Sequence, residues 1–359
     1  MSETTLTNDG GSAQDNTGIE TNEQAVGGLD HPVGEATGQE YYGLPVLEDT
    51  GHPMVPEPDV DYIMRPIEDT SKTDVELLCK IMDGARSPRL IGDSGVGKNA
   101  LVAHICAETN RPLAPINFGQ DTTVETLIGM FQPKEGAEGE VVEKVNRIKE
   151  EHDLSMDQAI QLVTGASENF EWVDGLLTSA VKKGWVFEAD ELNAAPPEAT
   201  MPLHGVTQKE ANRNLTIQKR RKVIEPDDRF KFVATMNPPH FAGTHELNEA
   251  FKNRFVPMEI PHLEQKAESG LVASNSSLSE GEARKVVKLA NRIRSQRKQP
   301  ESGGSPKITT AISTRELLKI GELCEDDFMK LETATKMILK GQANPGDERA
   351  IMSAMQNTF

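Results

Sequence analysis

The chain has 359 residues, enough for one large or two ordinary domains whose core needs no disulfide or metal staples. Its 38 basic against 57 acidic residues leave a net charge of −19, which argues against free nucleic acid as the default partner and favours solubility. Three cysteines without C-x-x-C spacing indicate neither a disulfide framework nor a zinc site, and no basic-then-apolar leader or membrane-length apolar run is present, so a cytoplasmic location is expected.

Residues 1–55 are Gly, Thr, Asn, Gln and acid with few large apolar side chains, a composition that cannot bury enough surface to offset its ordering entropy. An acidic disordered arm is expected there, since residues 1–60 hold twelve Asp or Glu and no Lys or Arg, with its end marked by Tyr41, Tyr42, Pro45, Pro53, Pro56 and Pro58, where a short stretch could lie on the folded body. A folded core is expected over 56–265, opening with a helix whose apolar spacing is set by Val75, Leu78 and Ile81.

The apolar run Arg89-Leu90-Ile91 then ends in Gly92-Asp93-Ser94-Gly95-Val96-Gly97-Lys98-Asn99-Ala100, a glycine-rich turn opening into a helix. Three glycines within six residues let successive N–H groups point inward, the helix adds the positive end of its dipole, and Lys98 supplies an ammonium for the outer phosphates. Asn99 stands where a Ser or Thr hydroxyl normally binds magnesium. An amide oxygen is a weaker ligand, so slow turnover is expected.

A short strand at 112–118 follows, and Thr122-x-x-Glu125 reads as a capping box. A glycine-rich acidic stretch and the cap Ser155-x-x-Gln158, leading to Ile160 and Val163, mark an insertion near 130–170. The strand at 183–191 ends in the pair Asp190-Glu191, and the strand at 229–237 ends in Asn237. A hairpin is expected near 207–225, carrying the run Lys219-Arg220-Arg221-Lys222. Glu188 places a charge inside its strand and is expected at a sheet edge beside a Lys or Arg. Residues 268–281 read as a Ser/Gly-rich connector, and 266–359 as connector plus helical lid.

Polar groups at the carboxyl ends of parallel strands mark a ligand edge. Asp190 is placed to hold magnesium through water, Glu191 to polarise an attacking water as general base, and Asn237 to bond that water or the terminal phosphate. Blander readings exist: paired acids cap helices, and Asn-Pro is a turn signal. His204, His240, His245 and His262 lack metal-site spacing, and no metal besides magnesium is expected.

The string 184–198, GWVFEADELNAAPPE, resembles the second nucleotide motif of MoxR-type AAA+ ATPases, the midasin- and dynein-like, helix-2-insert group. The segment 232–255, FVATMNPPHFAGTHELNEAFKNRF, resembles their sensor and arginine-finger helix, and Ile312-Ser313-Thr314-Arg315 their second sensor. The resemblance implies an α/β P-loop core with a parallel five-stranded sheet of order 5-1-4-3-2 and a small helical lid. It also implies ATP and Mg2+ as cofactors, with Asn99 and Asp190 at the metal, and a homo-oligomeric ring, usually hexameric. Arg254 would reach the neighbour's site and Arg315 the phosphates of its own subunit.

The function implied is ATP-driven, chaperone-like remodelling of a protein partner. The chain has no D-x-S-x-S site of its own, so a von Willebrand factor A partner in trans is implied. Two alternatives stand beside it. A nucleic-acid motor draws on the 219–222 run and the basic helix Arg284 to Lys298, but lacks interleaved aromatics for base stacking. A weakly hydrolysing switch draws on Asn99.

Overall fold

Polar residues cluster where the apolar runs stop, and in a computed structural model those runs form one parallel sheet. The structure describes residues 31–59, 62–84, 86–134, 138–154, 159, 163, 170–209, 212–238, 246–297, 308–356 and 358–359. A first hairpin pairs β1 (Ala36–Tyr41) with β2 (Leu44–Leu47), and a smaller one pairs β3 (Pro66–Ile67) with β4 (Lys72–Thr73). The latter runs into α1 (Asp74–Asp83), whose start is fixed by a capping box between Thr73 and Glu76.

Next come β5 (Ser87–Ile91), α2 (Lys98–Glu108), β6 (Leu113–Asn117) and α3 (Val124–Ile128). The α3 box uses Thr123 and Thr126, one residue beyond the expected Thr122 and Glu125. An antiparallel pair, β7 (Gly129–Pro133) and β8 (Phe170–Asp174), brackets α4 (Glu138–His152) in the insertion. The expected Ser155 cap and Ile160 lie outside the described residues. After α5 (Leu176–Lys183) come β9 (Val186–Asp190), the short helices α6 (Pro197–Thr200) and α7 (Leu203–Val206), and a hairpin of β10 (Leu215–Ile217) and β11 (Lys222–Ile224). The core closes with β12 (Lys231–Met236), α8 (Glu249–Lys252) and β13 (Phe255–Glu259).

The main sheet runs β13-β5-β12-β9-β6, all parallel, which is the order 5-1-4-3-2 when its strands are numbered along the chain. Both faces are covered, as a parallel sheet requires. Phe187, Phe232, Trp185 and Leu177 fill one face, and Val186, Val233, Leu101 and Leu78 the other. Beyond the sheet lie α9 (Gln265–Ser274), α10 (Glu280–Arg297), α11 (Thr314–Glu322), α12 (Leu331–Gln342) and α13 (Glu348–Gln356). They share a separate apolar cluster that includes Val286, Ile293, Leu317 and Ile351. Among the described residues no helix is long and apolar enough to cross a membrane.

Three expectations need correction. The polar arm was expected to extend to residue 55, yet 36–47 form a hairpin held on the core. Leu44 and Leu47 are 0% and 1% exposed. Leu47 N–H donates to the Thr109 carbonyl at 3.1 Å, Arg111 to the Pro45 carbonyl at 2.9 Å, and Tyr41 Oη lies 3.1 Å from His104 Nε2. Two leucines and a tyrosine suffice to anchor a segment whose average composition is polar.

The first half of the connector expected at 268–281 is instead part of helix α9, because Val272 packs in the lid core and Glu268 is buried against Arg294. Glu188 is not at an edge. It pairs with Val233 on one side and Pro115 on the other, is 1% exposed, and its Oε1 has no hydrogen-bond partner. Burial first, and then the nearby Asp190 charge, push its pKa up from 4.5 to about 8.

Candidate functional site

The glycine-rich turn after β5 owes its shape to residues with no Cβ where chain must pass chain. Gly95 and Gly97 lie at φ +72° and +96°, in the left-handed region. A Cβ on Gly97 would stand 2.7 Å from Arg65 Nη2, and one on Gly95 2.3 Å from Ser313 Oγ. Arg65 is itself buried, donating to the Val96 carbonyl at 2.9 Å and to Asp74 Oδ2 at 2.9 Å. It gives the Val96 carbonyl of the loop a partner, while the Val96 N–H is bonded back to the Asp93 carbonyl at 3.2 Å.

Lys98, the first residue of α2, is only 5% exposed. Its Nζ donates to the carbonyls of Gly92 and Asp93 at 2.8 and 3.0 Å and to Asn237 Oδ1 at 3.2 Å. All three acceptors are neutral, so the ammonium is hydrogen-bonded but its charge is not cancelled at contact. Burial pulls its pKa below the ordinary lysine range, opposed by the charges of Asp190, Glu191 and Asp93.

Adjacency of β9 and β12 brings the two predicted polar strand ends together. Buried Thr235 donates its hydroxyl to Asp190 Oδ1 and accepts the Glu191 N–H at 3.2 Å. Asn99 Nδ2 donates to the other oxygen of Asp190 at 2.8 Å. Glu191 sits at φ +52°, in the left-handed region, directly after the strand end at Asp190. There Asn237 Nδ2 donates to Glu191 Oε1 at 2.9 Å, so Asn237 bridges the ammonium and the carboxylate.

Lys98, Asn99, Asp190, Glu191 and Asn237 line a cleft of about 290 Å³ that also contains Ser94, Ala100 and the lid residue Arg315. Asn117, which ends β6 opposite Asp190, lines it as well and was missed in the sequence reading. Its signal was present: it too is a polar residue closing an apolar strand. Arg254 is not brought to this cleft. It follows α8, and its guanidinium donates to the His204 carbonyl, with His204 stacked on Phe251 at 4.3 Å between ring centroids.

A second cleft of about 380 Å³, lined by Met64, Ile67, Leu263 and Ala267, also includes Arg65 and His262, which touch the turn at Val96 and Asp93. Gly92 is pressed against the Ile260 carbonyl, where a Cβ would come within 2.8 Å. His262 Nε2 lies 3.2 Å from Asp93 Oδ2, and Arg297 Nη1 2.5 Å from Asp93 Oδ1. Burial alone would raise the Asp93 pKa, but the hydrogen bonds and charges of His262 and Arg297 overturn this and hold it well below the usual carboxylate range. No local motif announces this trio, which is assembled from three distant segments.

The residues present suit a nucleoside polyphosphate with a divalent cation. Gly95 and Gly97 give the loop the left-handed turns that let backbone approach an anion, one buried ammonium lacks a contact counter-charge, and two carboxylates, Asp190 and Glu191, line the same space.

Comparison with known proteins gives two family matches. Residues 89–152 and 142–255 match the AAA domain of the dynein-related subfamily, and residues 268–359 match the CbbQ/NirQ/NorQ C-terminal family. Protein CbbQ of Hydrogenophilus thermoluteolus is 25% identical over 276 residues, 76% of this chain and 88% of that protein. An uncharacterized protein of Staphylococcus saprophyticus is 26% identical over 272 residues, 75% of this chain and 89% of its own length. The gas vesicle ATPase GvpN of Haloferax mediterranei is 27% identical over 235 residues, 64% of this chain and 62% of that protein.

Proposed function

From the premise that this chain belongs to the MoxR-type AAA+ ATPase family, we propose that it binds ATP with magnesium in the strand-end cleft and hydrolyses it to drive remodelling of a protein partner. The observation that carries this reading is the bonded set Lys98, Asn237, Glu191, Thr235 and Asp190 at the carboxyl edge of a 5-1-4-3-2 sheet.

In this reading Gly92 to Ala100 hold the phosphates, with Lys98 leaving its carbonyl partners for phosphate oxygens. Asp190 and Asn99 face the metal, which when bound supplies charge neutralisation on the phosphates. Glu191 orients and deprotonates the attacking water once Asn237 turns to the terminal phosphate. Arg315 contacts phosphates from the lid, and the second cleft receives the base.

Arg254 acts in the site of a neighbouring subunit. Its place on the far side of α8, bonded to the His204 carbonyl, supports a role outside its own cleft. AAA+ proteins typically work as oligomeric rings, and a hexamer with a von Willebrand factor A protein in trans is the assembly proposed. The basic hairpin run speaks against a nucleic-acid motor. Lys219 is paired with Glu125 at 2.9 Å, and Arg220 lies over the Trp172 ring.

The test is magnesium-dependent ATPase with and without DNA, beside equilibrium binding of a fluorescent ATP analogue. Tight binding, turnover and indifference to DNA are expected. Binding without turnover would favour a nucleotide switch, and stimulation by DNA a motor.

A further inference from the structure

The lid meets the glycine-rich turn through more than the residue expected to touch phosphate. Arg297, the last residue of α10, places Nη1 2.5 Å from Asp93 Oδ1 and donates Nε to the Thr309 carbonyl at 3.1 Å. Three residues back on the same helix, Arg294 donates Nε to the Ile312 carbonyl at 2.7 Å and grips Glu268 with two bonds of 2.7 and 2.9 Å. Two arginines of one helix therefore hold the beginning and the end of segment 309–312, which leads straight into Ser313, Thr314 and Arg315.

Other bonds stiffen that segment. Asp347 accepts the N–H and hydroxyl of both Thr309 and Thr310 at 2.7 to 2.8 Å, and Glu268 accepts the Thr314 hydroxyl at 2.8 Å. On its far side Ser313 closes on Gly95, leaving no room for a Cβ. The turn is thus gripped by the lid at Asp93 and at Gly95, and Arg315 enters the cleft from the same rigid piece.

The two arginines differ in what they join. Arg294 and Glu268 both belong to the lid, with side chains 8% and 0% exposed, so that pair holds the lid together. The partner of Arg297 lies in the core, and the pair is about one-fifth exposed on each side. Removing Arg297 leaves the Arg294–Glu268 pair and the apolar core of the lid in place, and breaks the ion pair to the loop together with the bond to the Thr309 carbonyl. The second oxygen of Asp93 is held by His262, which follows β13, so Asp93 is anchored to the core while it receives the lid.

We propose that Arg297 is a positioning residue of the nucleotide site: its ion pair with Asp93 fixes the lid on the glycine-rich turn and so sets where Arg315 meets the phosphates. This rests on the nucleotide reading above and adds to it the link that transmits lid position to the loop.

The experiment measures affinity for fluorescent ADP and ATP analogues, steady-state turnover and nucleotide-free melting for Arg297→Gln, Asp93→Asn and the double variant. Arg297→Gln is expected to weaken ATP binding and slow turnover by about three- to tenfold each, as suits an ion pair about one-fifth exposed. Its effect should vanish in the Asp93→Asn background, and Arg315→Ala should matter less once Arg297 is gone. Arg297→Lys should restore part of the loss, whereas Arg294→Gln should chiefly lower the melting point. If Arg297→Gln does not fold, Asp93→Asn carries the same expectation from the core side. A melting shift without change in affinity or turnover, or an undiminished Arg297 effect in Asp93→Asn, overturns the coupling alone. Absence of nucleotide binding by the wild-type protein overturns the nucleotide reading and the coupling with it.

Discussion

The two sides of the cleft are built by different means. On the core side each polar group closes an apolar strand, and strand pairing alone brings the groups together: Asp190 beside Thr235, Glu191 beside Asn237, Asn237 beside Lys98. On the lid side Arg315 is exposed, and its place depends on Arg294, Arg297, Asp347 and Ser313. The core side is therefore preorganised by the sheet, while the lid side is only as well placed as the lid is. Core substitutions should abolish a step outright, and lid substitutions should scale it.

The largest effects are expected on the core side, and they should separate by step. Lys98→Ala removes the buried ammonium that meets ground-state phosphates, so nucleotide affinity should fall by about a hundredfold or more. Glu191→Gln keeps the bond geometry with Asn237 and leaves binding in place, while turnover drops by about two to three orders of magnitude. Analogue binding and single-turnover hydrolysis check both. Equal loss of affinity in the two variants would erase the distinction between a binding and a chemical group.

Arg254 tests whether the cleft has a third side. An arginine supplied by a neighbour predicts that a mixture of Arg254→Ala and Glu191→Gln subunits regains activity that neither has alone, because some composite sites then hold both groups. A rise to a sizeable fraction of one intact site per ring is expected after subunit exchange. No gain in rings shown to be mixed would remove Arg254 from catalysis in trans.

Much of the core side was legible in the sequence, since a glycine-rich turn and polar strand ends are local patterns and sheet order follows once the family is suspected. What was not legible is what long-range contact makes. Asp93 looked like one loop residue among several, and nothing near it announces His262 or Arg297. Arg65 precedes the turn by the β3–β4 hairpin, helix α1 and strand β5, yet it carries the Val96 carbonyl. The hairpin at 36–47 was hidden because two leucines decide its fate while the average over the segment is polar. Glu188 misled for the opposite reason: its charge suggested a partner, whereas an interior strand neutralises it instead.

That neutral Glu188 gives the core a pH dependence that the lid does not share. Its pKa is raised from 4.5 to about 8 in the folded state, so between those values the native protein holds a proton that the unfolded chain releases. Stability is full below the unfolded value and is lost as pH rises toward 8, with a limiting slope of about 1.4 kcal/mol per pH unit from this group. Glu188→Gln removes the titration while keeping the shape. Melting temperatures measured from pH 5 to 8.5 should therefore diverge, with the variant higher by several degrees at the alkaline end. Parallel curves would mean that Glu188 is ionised with a partner in the native protein.

The smallest effect concerns Asn99, where the core departs from the usual hydroxyl. Its amide nitrogen donates to one oxygen of Asp190 at 2.8 Å while Thr235 donates to the other, so both oxygens of the carboxylate already carry a donor. A metal ion approaching Asp190 competes with the amide, and an amide oxygen turned inward is a poorer ligand than a hydroxyl. In Asn99→Thr the shorter side chain frees that carboxylate oxygen and offers a hydroxyl in its place. The magnesium concentration for half-maximal turnover should fall about two- to fivefold, with nucleotide affinity in the absence of metal unchanged, because Lys98 and the loop amides are untouched. A magnesium titration of both proteins at saturating ATP decides it. If the Thr variant needs more magnesium, or turns over more slowly at every concentration, then the bond from Asn99 positions Asp190 productively, and the amide belongs to the preorganised side of the cleft rather than being a gap in it.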